Sequence, residues 1–238
     1  MIYVMSDIHG NMARFDSVMK QINLQKEDAL YILGDVVDRY PDGIRILRKI
    51  YKEPNIKMII GNHEHMMLEA LDCPRYKYGS DDWFYQQQYI AQWYNNGGNT
   101  THQYLKHIPL KIRQEIFNYL KSLPLNYEVE VNGEKYLLVH GAPVETFAKT
   151  KWTKAEDEIM HAVWTRIRRF DKMPEGKTVI FGHTPTSHYM NIAVPKIWYG
   201  DQKIGIDCGC GYVDGRLACL RLDDMKEFYS ERDFDPRW

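Results

Sequence analysis

The chain has 238 residues and a formal net charge of −1. It is long enough to bury a full core. It carries no global field that would draw nucleic acid or an anionic membrane, although a local cluster of cations can still hold an anionic substrate.

No apolar run is long enough to cross a bilayer. The opening MIYVMSDIHG lacks the basic region and long apolar core of a leader peptide. Cys73, Cys208, Cys210 and Cys219 show neither zinc-ribbon spacing nor a secreted-type framework. The expected setting is a reduced cytoplasm, with no membrane and no nucleic-acid partner.

Taken in order, the apolar patterning predicts a strand over 2–5, a helix over 12–22, a strand over 29–33 and a helix over 43–51. A strand over 56–60 and a helix over 63–71 follow. Next comes an insert at 73–106 containing DDWFYQQQYIAQWYNNGGN, crowded with aromatics and amides. Trp83, Ile90 and Tyr94 fall near one helical face, so a capping helix or helical pair is expected there. It either packs against the domain or forms a lid beside a site. A helix is expected over 109–123, then strands over 127–131 and 135–139 joined by Asn132-Gly133, a hairpin signal. A helix over 155–161 and strands over 178–181, 203–206 and 216–222 complete the pattern. The tail at 223–238 is polar, and its sequence does not say whether it is ordered. Early strands alternate with helices and later ones run together. That order predicts a mixed sheet layered with helices or two sheets with helices outside. The expected form is an α/β (α+β-like four-layer) fold of mixed β-sheets, a two-sheet sandwich flanked by helices. With no repeat or linker, residues 1–238 read as a single domain.

The polar residues are unusual in where they fall. The stretch MIIGNHEHMM ends an apolar strand and then places an amide and an imidazole at its mouth. Asn62 could simply cap the following helix. Yet the strand at 2–5 runs into Ser6-Asp7-Ile8-His9-Gly10, and the next into Gly34-Asp35-Val36-Val37-Asp38-Arg39. Later strands end in His140-Gly141 and Gly182-His183-Thr184. Ligands bind at the carboxyl ends of strands in open α/β sheets, so these groups should converge. Carboxylates, imidazoles and an amide without thiolate suit Mn, Fe, Zn or a similar divalent ion. The donors are too many for one tetrahedral zinc. They fit two ions roughly 3.5–4 Å apart that share a carboxylate, an arrangement that attacks phosphate esters.

On SDIHG at 6–10, GDVVDR at 34–39, GNHE at 61–64, HG at 140–141, WTR at 164–166 and GHT at 182–184, the sequence resembles the metallophosphoesterase superfamily. Within it, the match is to the phosphoprotein phosphatase branch related to calcineurin, in its bacterial and phage form. The resemblance implies that Asp7 and His9 bind a first metal, that Asp35 bridges both, and that Asn62, His140 and His183 complete the second. His63 would be the general acid, oriented by Asp38, and Arg39 and Arg166 would hold phosphate. The implied activity is phosphomonoester hydrolysis on serine or threonine in a phosphoprotein or phosphopeptide. A metal-bridging hydroxide would attack in line. Manganese is the expected metal, with iron or zinc as alternatives.

Some features depart from the branch or stay open. Tyr40 stands where glycine is usual, and its ring could narrow the site or stack on a substrate. Arg168 and Arg169 compete with Arg166 for the phosphate. Asp207 resembles a position near the site without being a ligand. His65, His102, His107, His161 and His188 match no motif and are expected at the surface or satisfied in the core. The alternative function is hydrolysis of a dinucleoside polyphosphate such as diadenosine tetraphosphate, whose enzymes usually carry GNHD where this chain has Glu64. A non-catalytic scaffold is a minor alternative, since every matched position is intact.

Overall fold

Parallel neighbouring strands need crossover connections, and the first third of the chain supplies them with helices. The computed structural model describes residues 1–72, 76–149 and 154–231. Cys73 with the rest of 73–75 of the insert, and the end of the tail at 232–238, lie outside the described residues. The chain runs β1 (Ile2–Met5), α1 (Met12–Ile22), β2 (Ala29–Ile32), α2 (Gly43–Ile50), β3 (Ile56–Met58) and α3 (Asn62–Leu71). The insert forms α4 (Asp81–Asn95) and α5 (Gly98–Lys106), followed by α6 (Leu110–Lys121), β4 (Asn126–Val131) and β5 (Glu134–Val139). Then come α7 (Ala155–Trp164), β6 (Thr178–Phe181), β7 (Trp198–Gly200), β8 (Lys203–Gly205), β9 (Ala218–Arg221) and β10 (Lys226–Tyr229).

The strands form two five-stranded mixed sheets, in the orders β10-β9-β1-β2-β3 and β4-β5-β6-β8-β7. In the first sheet β1-β2-β3 run parallel to the β3 edge, while β9 pairs antiparallel with both β1 and β10; in the second, β5-β6-β8 are parallel and the edge strands β4 and β7 are antiparallel. Side chains alternate across β1 and β2, so the near-continuous apolar runs serve two cores at once. Val4, Tyr31 and Leu33 meet Leu138, Ile180 and Ile204 between the sheets. Tyr3, Met5, Leu30 and Ile32 face the helical layer with Val18, Ile44 and Leu47. The outer face of the second sheet is covered by Ile167, Met173, Tyr189 and Met190 from connecting segments. Asn132 and Gly133 both take positive φ, 53° and 83°, as a tight hairpin turn between β4 and β5 requires.

Two strands escape apolar periodicity. β10 lies in the polar tail, yet pairs with β9 and buries Phe228 against Tyr3. Its KEFY sequence has the charges expected of a solvent-facing edge. β7 is three residues long and pairs only with β8. The 216–222 run is shorter than expected, because Arg216 bridges Gly209 before β9 begins. The face of α4 is also turned by one position. Trp83, Gln86 and Ile90 are half-buried and Trp93 is fully buried, whereas Tyr94 is exposed.

Leu220 is fully buried between the sheets. Leu220→Ala should therefore lower unfolding free energy by about 2–5 kcal/mol, read as a lower urea midpoint at unchanged slope.

Candidate metal centre and phosphate site

Past their last paired residues, the strands continue as hydrogen-bonded loops, and these carry the polar groups to one place. The Asp7 N–H donates to Gly34 O (3.1 Å), the His9 N–H to Asp35 O (2.9 Å) and the Gly10 N–H to Val36 O (2.8 Å). In the second sheet the Gly182 N–H donates to His140 O (3.0 Å). Asp7, His9, Asp35, Asp38, Arg39 and His183 all have φ between 49° and 72°. Such left-handed conformations are costly for non-glycine residues and cluster where a side chain must be aimed.

Asp35 is the common member of two buried donor groups. His9, Asp35 and His63 form one, and Asp35, His140 and His183 form the other, each with ligand atoms within 4.8 Å of one another. Asp7 flanks the first group, its Oδ1 3.9 Å from His9 Nε2. Asn62 flanks the second, its Oδ1 2.9 Å from His140 Nε2. The His63 backbone N–H, at the start of α3, donates to Asp35 Oδ1 (3.0 Å), so a helix N-terminus also favours this carboxylate. Asn62 is the first helical residue and Gly61 the cap, so the amide is not spent on capping. A Cβ on Gly61 would sit 2.3 Å from Asp35 Oδ1, and only glycine fits there.

Backbone carbonyls orient the imidazoles. His9 Nδ1 faces Val37 O (3.2 Å), His140 Nδ1 faces Leu33 O (2.6 Å) and His183 Nε2 faces Trp164 O (3.1 Å). The remaining nitrogen of each ring is left to the site. Burial, then Arg39 and His63, holds His9 well below the usual imidazole range. Burial also lowers His140, and burial with His140 brings His183 down to about 3. Burial tends to raise Asp35, but His140, His63, His9 and His183 outweigh it and lower its pKa. Asp7 is pushed far up by burial, then by Asp207 and Asp35. Asp207, which donates no ligand to either group but lines the cavity, is raised to about 6, mainly by burial. Buried carboxylates that repel one another, set among imidazoles each held by one ring nitrogen, form a donor set that divalent ions fit.

Beside this centre, His63 Nδ1 lies 2.7 Å from Asp38 Oδ2, with both side chains buried. Arg39 Nη2 is 3.4 Å from His63 Nε2. A polar cavity of about 40 Å³ opens here, lined by Asp7, Asp35, Asn62, His63 and His183 together with Arg39 and Arg166. It is far smaller than a pocket that would enclose a whole drug-sized ligand, roughly 300–1,000 Å³, so it suits a phosphoryl group with the rest of a substrate outside. Arg166 is exposed at the mouth and donates from Nη1 to His183 O (3.1 Å). Arg168 turns to Asp171 and Arg169 to Tyr189 O and the Trp198 ring. Tyr40 does not line the cavity; the aromatic rings that do are Trp164 and Tyr212. None of His65, His102, His107, His161 and His188 lines it either.

Residue patterns missed several supporting groups. Glu64 is fully buried and accepts N–H bonds from Gly61, Asp35, Val36 and Val37 at 2.8–3.2 Å, tying the GNHE and GDVVDR loops together. Arg14 is buried in α1 and donates to the carbonyls of Cys210, Tyr212 and Val213 at 2.7–2.9 Å. It thereby fixes the loop whose Tyr212 ring lies 4.7 Å from the Arg39 guanidinium. An arginine within a helix otherwise patterned for burial was the only local signal of that role.

The chain belongs to the calcineurin-like phosphoesterase family, whose pattern matches residues 1–221. It is a metal-dependent phosphoesterase of that family. Its relatives include members of two substrate groups. The chain is 25% identical over 198 residues to serine/threonine-protein phosphatase 1 of Salmonella typhimurium, covering 81% of this chain and 82% of that one. It is 43% identical over 68 residues to the symmetrical bis(5'-nucleosyl)-tetraphosphatase of Wigglesworthia glossinidia brevipalpis, a match spanning 28% of this chain and a quarter (25%) of that relative. Among solved structures, a serine/threonine phosphatase from Saccharomyces cerevisiae superposes with a TM-score of 0.57 at 15% identity, covering 99% of this chain and 81% of its own. At that identity the superposition speaks for the fold.

Asp35→Asn removes the carboxylate common to both donor groups. Elemental analysis of the purified variant should show loss at both sites, from two divalent ions per chain to well under one.

Proposed function

We propose that this protein is a dinuclear-metal-dependent phosphomonoesterase of the serine/threonine protein phosphatase type, working as one domain with the 73–106 insert as its cap. One observation carries the reading: His63, paired with the buried Asp38, and two arginines line the same small polar cavity as Asp35 and His183 of the donor groups. Asp7, His9 and Asp35 would hold one ion, and Asp35, Asn62, His140 and His183 the other. When bound, two such cations supply Lewis acidity and bring the pKa of water towards neutrality. Manganese is the proposed metal, with iron or zinc as alternatives. The buried free thiols Cys208, Cys210 and Cys219 accord with a reducing cytoplasm. Among the described residues no helix is long and apolar enough to cross a membrane.

The chain's own residues then have distinct tasks. The guanidinium forks of Arg39 and Arg166 pair with non-bridging phosphoryl oxygens and neutralise their charge. An oxygen from water attacks phosphorus, and the ester P–O bond opposite it breaks. The departing alkoxide needs a proton, and His63 Nε2 delivers it. Asp38 Oδ2 accepts the Nδ1–H, which fixes the ring and leaves the transferable proton on Nε2. Burial opposes a charged His63, but Asp35 and Asp38 outweigh it and raise its pKa, as a proton donor near neutrality requires.

A second reading, hydrolysis of a dinucleoside polyphosphate, draws support from Tyr212. Its half-exposed ring at the cavity mouth could stack a nucleobase. Measuring kcat/KM for a phosphoserine peptide and for diadenosine tetraphosphate at equal metal loading separates the two. The first reading expects the peptide to be preferred; a clear preference for the dinucleotide would select the second. No turnover of either, with no transition metal bound, would instead revive a scaffold role.

His63→Gln should lower kcat on an alkyl phosphate by about 10²–10⁴ with little change in KM, because the proton is needed in the transition state. A near-normal kcat on that ester would remove His63 from the acid role.

A further inference from the structure

Three contacts from the insert converge on the dipeptide Asp38-Arg39. The Trp93 Nε1–H donates to Asp38 Oδ2 (2.8 Å), the same oxygen that His63 Nδ1 meets at 2.7 Å. The Asp38 N–H donates to Thr101 Oγ1 (2.9 Å), and the Arg39 N–H to Gly97 O (3.1 Å). Asp38 and Arg39 are consecutive non-glycine residues at φ 72° and 68°, an arrangement that persists only when its surroundings hold it.

The seat of Trp93 is built for close approach. Its side chain is fully buried, and a Cβ on Gly98 would stand 2.4 Å from the indole ring. The His102 ring lies 5.6 Å away on the other helix of the insert. Asp38 is itself fully buried, so its carboxylate cannot turn to water for a partner. A buried carboxylate takes the orientation its donors impose. Here the indole N–H and the imidazole N–H share one oxygen, so the rotation of the carboxylate and the direction of the His63 ring are set together.

We propose that Trp93 is a positioning residue for proton delivery, its indole N–H fixing the Asp38 carboxylate that aims His63 at the leaving oxygen, with Thr101 and Gly97 fixing the same dipeptide's backbone. This gives the insert a part in the chemistry. It rests on His63 acting as the acid.

Trp93→Phe keeps the ring and removes only the N–H donor. A misdirected acid hurts an ester whose leaving group must be protonated far more than one whose leaving group departs unaided. The ratio of kcat on a phosphoserine peptide to kcat on 2,4-dinitrophenyl phosphate should therefore fall about 10–100-fold, the usual scale for losing an outer hydrogen bond that orients a functional imidazole. Thr101→Val should lower the same ratio and Thr101→Ser restore it, which keeps the test alive if Trp93→Phe does not fold. Equal losses on both esters, or an unchanged ratio in Trp93→Phe and Thr101→Val alike, overturn the proposal. A second measurement does not depend on turnover. The downfield proton resonance of His63 Nδ1–H, assigned by its disappearance in His63→Gln, should move in Trp93→Phe. An unmoved resonance overturns the positioning role, whereas an inactive wild-type protein would overturn only the assigned reaction.

Discussion

The site is organised around one carboxylate that is almost wholly buried. Asp35 is buried, takes a left-handed backbone conformation, and lies against imidazoles from two loops and the start of α3. A single buried charge of this kind needs compensation from several directions at once. The fold provides it through the N-terminus of α3 and the surrounding histidines. Glu64 then accepts the backbone N–H groups of the loop that bears Asp35, so the position of the carboxylate is tied to the start of α3. Moving either loop would leave buried donors without acceptors, which accounts for the rigidity the centre requires.

Two shells of different origin meet on this centre. The sheets supply the inner donors, because parallel strands deliver their carboxyl ends to the same side. The helical insert supplies contacts to Asp38 and Arg39, one step further out. A third element, Arg14 in α1, fixes the loop of Tyr212 at the rim. The donor groups, the Asp38-Arg39 dipeptide and the cavity rim are thus held by separate parts of the chain.

That separation bears on the two substrate groups among the relatives. A phosphoserine ester and a nucleoside polyphosphate present the same tetrahedral, charged phosphorus to the inner donors. They differ in what hangs outside. The inner cavity is nearly all polar, and the groups able to sense a peptide or a base lie at its mouth, with Tyr212 among them. On the proposed reading, the choice between them would fall to groups at the mouth such as Tyr212 and not to the buried donors.

Strand ends, helix patterning and the motif residues Asp7, His9, Asp35, Asn62, His140 and His183 could be read from the linear sequence, because each lies within a few residues of a local apolar signal. So could the hairpin at Asn132-Gly133, whose backbone demands are local. β10 could not, since an edge strand of charged residues looks like tail until Phe228 finds Tyr3. Trp93 was hidden for a similar reason. Its neighbour Tyr94 is an equally aromatic candidate, and only the rotation of α4 against α3 and Asp38 chooses between them. The roles of Glu64, Arg14 and Thr101 were likewise settled in three dimensions, because a hydrogen bond across tens of residues leaves no periodicity behind. Local chemistry named the donors; packing between distant segments decided which way they point.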